Sequence, residues 1–211
     1  MDIYKHCLLS QRKFGGQPKD YEPIHAFIDS SKYFYYHAKH RLLLHNLYGV
    51  NLATALYGNF LTNSDGQTLL VRDIAVEHCR EDLDGHIPTL SEWFKGNQNL
   101  ADLLPKIPDL QSDVLNEFIW RPYLLTGIKA TMIITCSDFG IQLMKQFYGY
   151  ESARKLRQAL PEHAAINLFL KQFRFGERWQ YTPQKAEIKW LKQYQDERKH
   201  QNHAERVLSA G

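Results

Sequence analysis

Residues 20–29, DYEPIHAFID, and residues 77–82, EHCRED, each contain a histidine followed four residues later by an aspartate. The two pairs are His25 with Asp29 and His78 with Asp82. Residues four apart lie on the same face of an α-helix. Each stretch therefore predicts a helix that presents an imidazole and a carboxylate side by side, and two such helices facing each other would bring four polar groups together.

The rest of the chain predicts a mainly α fold, a multi-helix bundle with one small β-hairpin near residues 60–71. That segment, FLTNSDGQTLLV, has two apolar runs separated by Asp65-Gly66, a dipeptide typical of hairpin turns. Elsewhere apolar residues recur with helical spacing, and Gly, Pro and N-cap residues mark the ends. The helices are predicted over residues 4–14, 20–31, 33–48, 50–57 and 74–83, after Thr89, and over 114–120, 123–148 with a break near Gly140, 151–160, 162–175 and 183–208.

Composition is that of an ordinary soluble protein: 211 residues, 44% hydrophobic, 23% charged and a net charge of +3. Charge is unevenly distributed, because residues 97–211 hold 16 Lys/Arg against 12 Asp/Glu, whereas residues 1–96 hold 10 against 11. The Gly-, Asn-, Asp- and Pro-rich residues 96–112 are the best candidate boundary. We predict a His/Asp-rich helical domain with the hairpin (1–96) and a basic helical region (97–211), either separate or packed together as one body.

Cysteine content and hydropathy bear on the compartment. Three cysteines without a CxxC pair, and a start lacking the long apolar run of a signal peptide, favour a reducing cytoplasm. The most apolar stretch, residues 124–136, is interrupted by Lys129 and is shorter than the roughly 20 residues that span a bilayer. We predict a cytoplasmic protein without membrane segments.

The predicted helix 33–48 adds further histidines to the two pairs. Imidazole and carboxylate ligands suit Zn²⁺, Mn²⁺ and Fe²⁺, so we predict a divalent metal site. About 140° separates His40 from His45 on one helix, and the apolar neighbours Leu44 and Leu47 favour His40 as the inward one. The candidate ligands are His25, Asp29, His40, His45, His78 and Asp82. The alternative is that each pair is only a hydrogen-bonded helix pair worth a few tenths of a kcal/mol.

A bound metal would suit hydrolysis, since it polarises a phosphoryl oxygen and activates water. Lys32, three residues after Asp29, and Arg41, beside His40, are the candidate catalytic cations for a phosphate ester. The alternative is structural: both cations pair with acidic neighbours, and the metal staples the helices without a reaction. No GxSxG, GxGxxG or P-loop sequence points to another chemistry.

The basic C-terminal half suggests a non-enzymatic alternative. Basic side chains interleaved with aromatic ones can bind a nucleic-acid backbone and stack bases. A nucleic acid or an acidic protein is therefore a candidate partner, with the His/Asp cluster purely structural, and the long polar last helix allows a homo-oligomer. The residues that would carry such binding are Arg154, Lys155, Arg157, Lys171, Arg174 and Arg178.

Several motifs also occur together in a known family. In order they are Lys13–Gly16, Asp20–His25 continuing through Phe27 to Asp29, Ser31 and Lys32, then His40-Arg41 and His45, Glu77–Leu83, and Ile87–Thr89 with Trp93. Over about residues 4–95 the chain resembles a family of short, functionally uncharacterised bacterial and phage-encoded proteins, in which His6 also falls at a histidine position. The resemblance implies no assigned reaction, and residues 97–211 match nothing comparable.

Overall fold

The computed structural model describes residues 2–35, 40–94, 110, 112–126, 130–160 and 163–172. Within these ranges the fold is mainly α-helical with one antiparallel β-hairpin, as predicted. The helices are α1 (Ile3–Phe14), α2 (Pro18–Asp29), α3 (Arg41–Leu44), α4 (Leu47–Tyr57), α5 (Val71–Asp82), α6 (Leu90–Phe94), α7 (Asp113–Thr126), α8 (Ala130–Thr135), α9 (Asp138–Ala159) and α10 (His163–Gln172), with a 3₁₀ turn over Ser30–Tyr33; the strands are β1 (Phe60–Thr62) and β2 (Thr68–Leu70).

The hairpin ties down the corner between α1 and α2. Phe60 pairs with Leu70 and Thr62 with Thr68, and the turn contains Gly66 at φ 80°. The Asn63 amide donates to the Phe14 carbonyl at 2.9 Å. Because α1 ends there in Gly15 and Gly16, both with positive φ, the corner is tight and α1 and α2 lie against each other.

The predicted single helix over residues 33–48 is wrong. The chain instead forms the 3₁₀ turn after α2, and α3 spans only four residues before a bend at His45 and Asn46. The Asn46 side chain explains the bend: its amide donates to the Leu42 carbonyl at 2.9 Å, while its oxygen accepts from Gly49 N–H at 3.0 Å. One side chain thus stabilises both helix ends, a contact that competes with a continuous helix.

The bend at Asn46 also requires a glycine on its far side. A Cβ at Gly49 would lie 1.9 Å from the Leu44 carbonyl oxygen, so α4 can start this close to α3 only without a side chain there. Consequently His45 leaves the helical path with φ −81° and ψ 59°. That conformation carries its ring towards α2 and α5.

Apolar faces of the N-terminal helices form one continuous core. Ile28 on α2, Leu43 and Leu44 on α3, and Ile74 on α5 are completely buried. Cys79 is also fully buried and packs as a small residue of this core. Burial raises the pKa of this thiol, which keeps it protonated.

Two glycines lie at helix breaks in the second half of the chain. The break expected near Gly140 falls earlier, where Ser137 Oγ caps α9 by accepting from Gly140 N–H at 3.1 Å. Gly149, at φ 84°, interrupts α9 in the gap between the helices predicted over residues 123–148 and 151–160, as expected. The earlier break arises because N-cap positions depend on backbone conformation, which apolar periodicity does not report.

Contacts join the two predicted regions, although the proposed division itself stays a prediction. Tyr35 donates from its hydroxyl to Asn167 Oδ1 at 2.9 Å. The Phe34 and Phe139 rings meet edge to face, 5.6 Å between centroids. Most of the expected boundary over residues 96–112 and the whole expected helix 183–208 lie outside the described residues. Among the helices described, none is long and apolar enough to cross a bilayer.

Candidate metal centre

Four polar side chains meet in the interior of the N-terminal region. Helix α5 supplies His78 and Asp82 from one face, α2 supplies Asp29 at its last position, and the bend after α3 supplies His45. One ligand atom from each of the four lies within 4.8 Å of all the others. Three separate segments therefore converge at this point. The repeated His-x-x-x-Asp spacing predicted such convergence for two of them, α2 and α5.

The distances within this group are short and regular. His78 Nε2 lies 3.2 Å from His45 Nε2 and 3.5 Å from Asp29 Oδ1. His45 Nε2 lies 3.5 Å from Asp29 Oδ1 and 3.3 Å from Asp82 Oδ2. The histidines are completely buried, and both carboxylate side chains are only 2% exposed. A group of this composition and spacing can hold a metal ion.

One carboxylate oxygen in the group has no hydrogen-bond partner among the residues that the structure describes. Asp29 Oδ1 lies 3.5–3.6 Å from the Nε2 atoms of three histidines, but within the described ranges it makes no hydrogen bond. A buried carboxylate oxygen without a partner is costly. A cation among these atoms would satisfy it.

His40 and His6 each approach a different carboxylate of the group. His40 Nε2 lies 3.6 Å from Asp29 Oδ1, so both histidines considered for the third segment approach this carboxylate. The bend at Asn46 makes that possible, since on a straight helix the two would diverge. His6 Nε2 lies 3.5 Å from Asp82 Oδ1, while its Nδ1 contacts Glu81.

His6 was absent from the predicted ligand set. Its ring is completely buried, and Nε2 makes no hydrogen bond to any described residue. A signal was present in the sequence, because His6 and Ser10 are also four residues apart and share one face of α1. Glu81 contacts the other ring nitrogen of His6.

His25 is placed differently from the other predicted ligands. Its Nε2 lies 2.9 Å from Ser10 Oγ, and its Nδ1 lies 3.0 Å from His78 Nδ1. Both nitrogens are thus engaged behind His78. Burial, then the neighbouring His78 and His6, lower the pKa of His25 to about 2, so this ring is neutral at ordinary pH.

The predicted catalytic cations lie against the two carboxylates. Lys32 Nζ is 2.6 Å from Asp29 Oδ2, and Arg41 donates to Asp82 Oδ2 at 3.1 Å. These are the ion pairs anticipated as the structural alternative. They partly neutralise a centre that would otherwise bury two carboxylates, and whether either cation also has a catalytic role stays a prediction.

Protonation states in the centre suit metal binding. Burial alone would raise the pKa of Asp29 and Asp82, but contacts with His40 and His78 for the first, and with His45 and His6 for the second, hold both pKa values below the usual range. Burial lowers the pKa of His45 well below 6.5, outweighing the opposing contact with Asp82. Metal ligands must be ionised carboxylates and neutral imidazoles, and these shifts favour that combination.

His6 is the exception among the buried imidazoles. Burial lowers its pKa, but contacts with Asp82 and Glu81 outweigh burial and leave the pKa of His6 above 6.5. The pKa of His78 is lowered, chiefly by burial. His6 is thus the imidazole most readily protonated.

The basic residues of the second half show no comparable convergence in the described ranges. Arg154 pairs with Glu151 at 2.8 Å, and Arg157 approaches Asp138 at 3.9 Å. Arg174, Arg178 and the Lys171 side chain, like His37 in the first half, lie outside what the structure describes. Nucleic-acid or protein binding through this surface stays a prediction.

The N-terminal region carries a recognisable domain. Residues 1–102 match the family described as a domain of unknown function (DUF6915). All the residues of the candidate centre fall within this DUF6915 region, in agreement with the resemblance seen over residues 4–95. The bacterial and phage-encoded origin of the family stays a prediction. Comparisons with curated proteins and with solved structures each gave no match.

Proposed function

We propose that the DUF6915 region of this protein binds one divalent transition-metal ion. The ligands are Asp29, His45, His78 and Asp82. The carrying observation is that four of the six distances between their ligand atoms are 3.2–3.5 Å, and that all six are within 4.8 Å. Donors placed tetrahedrally at about 2.0–2.1 Å from one ion are about 3.3–3.4 Å apart.

The ligand types narrow the choice of metal. Two imidazoles and two carboxylates suit Zn²⁺, Mn²⁺ or Fe²⁺ better than Mg²⁺ or Ca²⁺, which prefer oxygen. The four separations of 3.2–3.5 Å match those of a tetrahedral site, which favours Zn²⁺ among these. His40 and His6, at 3.6 and 3.5 Å from the ligand carboxylates, would complete a larger shell for Mn²⁺ or Fe²⁺.

Elemental analysis of the purified protein tests this proposal directly. We expect about one Zn, Mn or Fe per chain, and strong depletion in His45→Ala and Asp29→Asn, because each change removes one of four ligands. His86→Ala is the matched control, since His86 pairs with Glu92 outside the centre. A wild-type protein that neither carries nor takes up these metals would contradict the proposal.

Phosphate-ester hydrolysis is a second candidate, favoured by the position of Lys32. Its side chain is 21% exposed, against 2% for the Asp29 side chain it touches, so it lies between the centre and solvent. A metal with a fifth coordination position open to the substrate would polarise the phosphoryl oxygen, and Lys32 would bind another oxygen of the same group. Arg41 would act similarly beside Asp82.

If this centre hydrolyses phosphate esters, the rate of hydrolysis should depend on Lys32. The metal-loaded protein is expected to hydrolyse p-nitrophenyl phosphate, and Lys32→Met to lower kcat/KM by roughly 10- to 1,000-fold. The exposed Lys19→Met is the control and should retain activity. Metal-loaded protein without activity on phosphate mono- and diesters would contradict hydrolysis and favour a purely structural metal. The deep burial of the ligands is consistent with such a structural role.

A further inference from the structure

Behind the candidate metal centre, three side chains form a hydrogen-bonded row. Ser10 Oγ lies 2.9 Å from His25 Nε2, and His25 Nδ1 lies 3.0 Å from His78 Nδ1. At the other end of the row, His78 Nε2 faces His45 and Asp29. All three members of the row are buried.

The number of protons in this row is limited by geometry. Only one proton can lie between the Nδ1 atoms of His25 and His78. A neutral imidazole that coordinates through Nε2 carries its proton on Nδ1. In the metal-bound protein His78 therefore donates and His25 accepts, which places the proton of His25 on Nε2, where Ser10 Oγ accepts it.

We propose that His25 is a positioning residue that selects Nε2 of His78 as the metal-binding atom. The proposal rests on the metal-binding function proposed above. Histidine ligands of metals commonly donate their second N–H to an acceptor that fixes ring orientation and increases ligand basicity. Here the acceptor is a second histidine, which Ser10 holds in the required tautomer. Within this assignment His25 is not itself a ligand.

The test compares two replacements of His25 that differ in hydrogen-bonding ability. His25→Asn keeps an acceptor oxygen near the position of Nδ1, whereas His25→Leu fills similar space without one. Co²⁺ is the probe, with affinity measured by competition with a chelator and geometry by its visible absorption bands. His86→Leu, outside the centre, is the matched control.

We expect His25→Leu to weaken Co²⁺ binding about 10- to 100-fold. His25→Asn should bind within a few-fold of wild type and keep the same absorption bands. Ser10→Ala leaves the His25 ring in place and should weaken binding about 2- to 10-fold. Should His25→Leu fail to fold, the Asn and Ser10 variants still test the proposal.

Four outcomes would overturn the positioning role. If His25→Asn and His25→Leu lose Co²⁺ affinity equally and both alter the Co²⁺ absorption bands, His25 is a metal ligand. Unchanged affinity in folded His25→Leu would make it a packing residue only. Two Co²⁺ ions per chain, one of them dependent on His25, would place an ion at the second histidine group, His6, His25 and His78. Wild-type protein that binds no metal would instead reject the proposed function as well.

Discussion

Lowering the pH from 7 to 5 is expected to remove about 2 kcal/mol from the free energy of unfolding of the metal-free protein through His25 alone, and His45 acts in the same direction. The cause is the burial of neutral imidazoles. The pKa of His25 is about 2 and that of His45 lies well below 6.5. In the unfolded chain both return to an ordinary pKa near 6.5.

The sign follows from where the proton binds. Below pH 6.5 the unfolded chain takes up a proton at His25 that the folded protein does not bind, and the lowered pKa of His45 acts in the same direction. Stability is therefore fully present above pH 6.5 and falls as the pH falls, by about 1.36 kcal/mol per pH unit for His25. Domains have only about 5–15 kcal/mol of stability in total, so the loss is large.

Other buried groups modify this trend in known directions. The raised pKa of His6 acts oppositely: its contribution is present below pH 6.5 and is lost as the pH rises. The lowered pKa values of Asp29 and Asp82 add stability that disappears only below about pH 4. Between pH 7 and 5 the neutral imidazoles therefore decide the direction.

Urea unfolding of chelator-treated protein at pH 8, 7, 6 and 5 measures the effect. His25→Asn removes one group that takes up a proton on unfolding, so the slope of the free energy of unfolding against pH should fall by about 1.36 kcal/mol per pH unit. Ile74→Val, a fully buried apolar change, is the control: it should lower stability about equally at every pH, by about 0.5–1.5 kcal/mol. Stability that rises towards pH 5 would contradict the assignment of neutral imidazoles.

Adding Zn²⁺ to the metal-free protein is expected to raise its unfolding temperature by about 8–16 °C when free metal is about 1,000 times its Kd. A ligand that binds only the folded state stabilises it by about 4.1 kcal/mol at that excess. We expect the ion to bind only the folded state because its ligands come from α2, the bend after α3, and α5, which come together only on folding. One ion would therefore cross-link three segments.

Scanning calorimetry with and without Zn²⁺ measures this shift, and a chelator should reverse it. His78→Ala is the informative variant, because it removes a ligand while Asp29, His45 and Asp82 stay in place. Its unfolding temperature should respond little to Zn²⁺. An equal rise in wild type and His78→Ala would show that the ion acts elsewhere on the protein.

The helical fold, the hairpin and much of the candidate centre were accessible from the sequence. A His-x-x-x-Asp spacing has local meaning, because helix geometry alone puts residues four apart on one face. His78 and Asp82 on α5 show this directly. The Asp65-Gly66 turn is equally local, since a hairpin turn needs a residue that accepts positive φ.

Tertiary structure decided which nitrogen and oxygen atoms meet. On one continuous helix His45 would diverge from His40, but Asn46 caps two helix ends at once and Gly49 permits the close approach of α4 to α3. The surroundings of His25 also depend on α1, because Ser10 and His6 on that helix contact the His25 ring. Periodicity along a chain reports the face on which a residue lies; which partner fills the space opposite depends on packing between segments far apart in sequence.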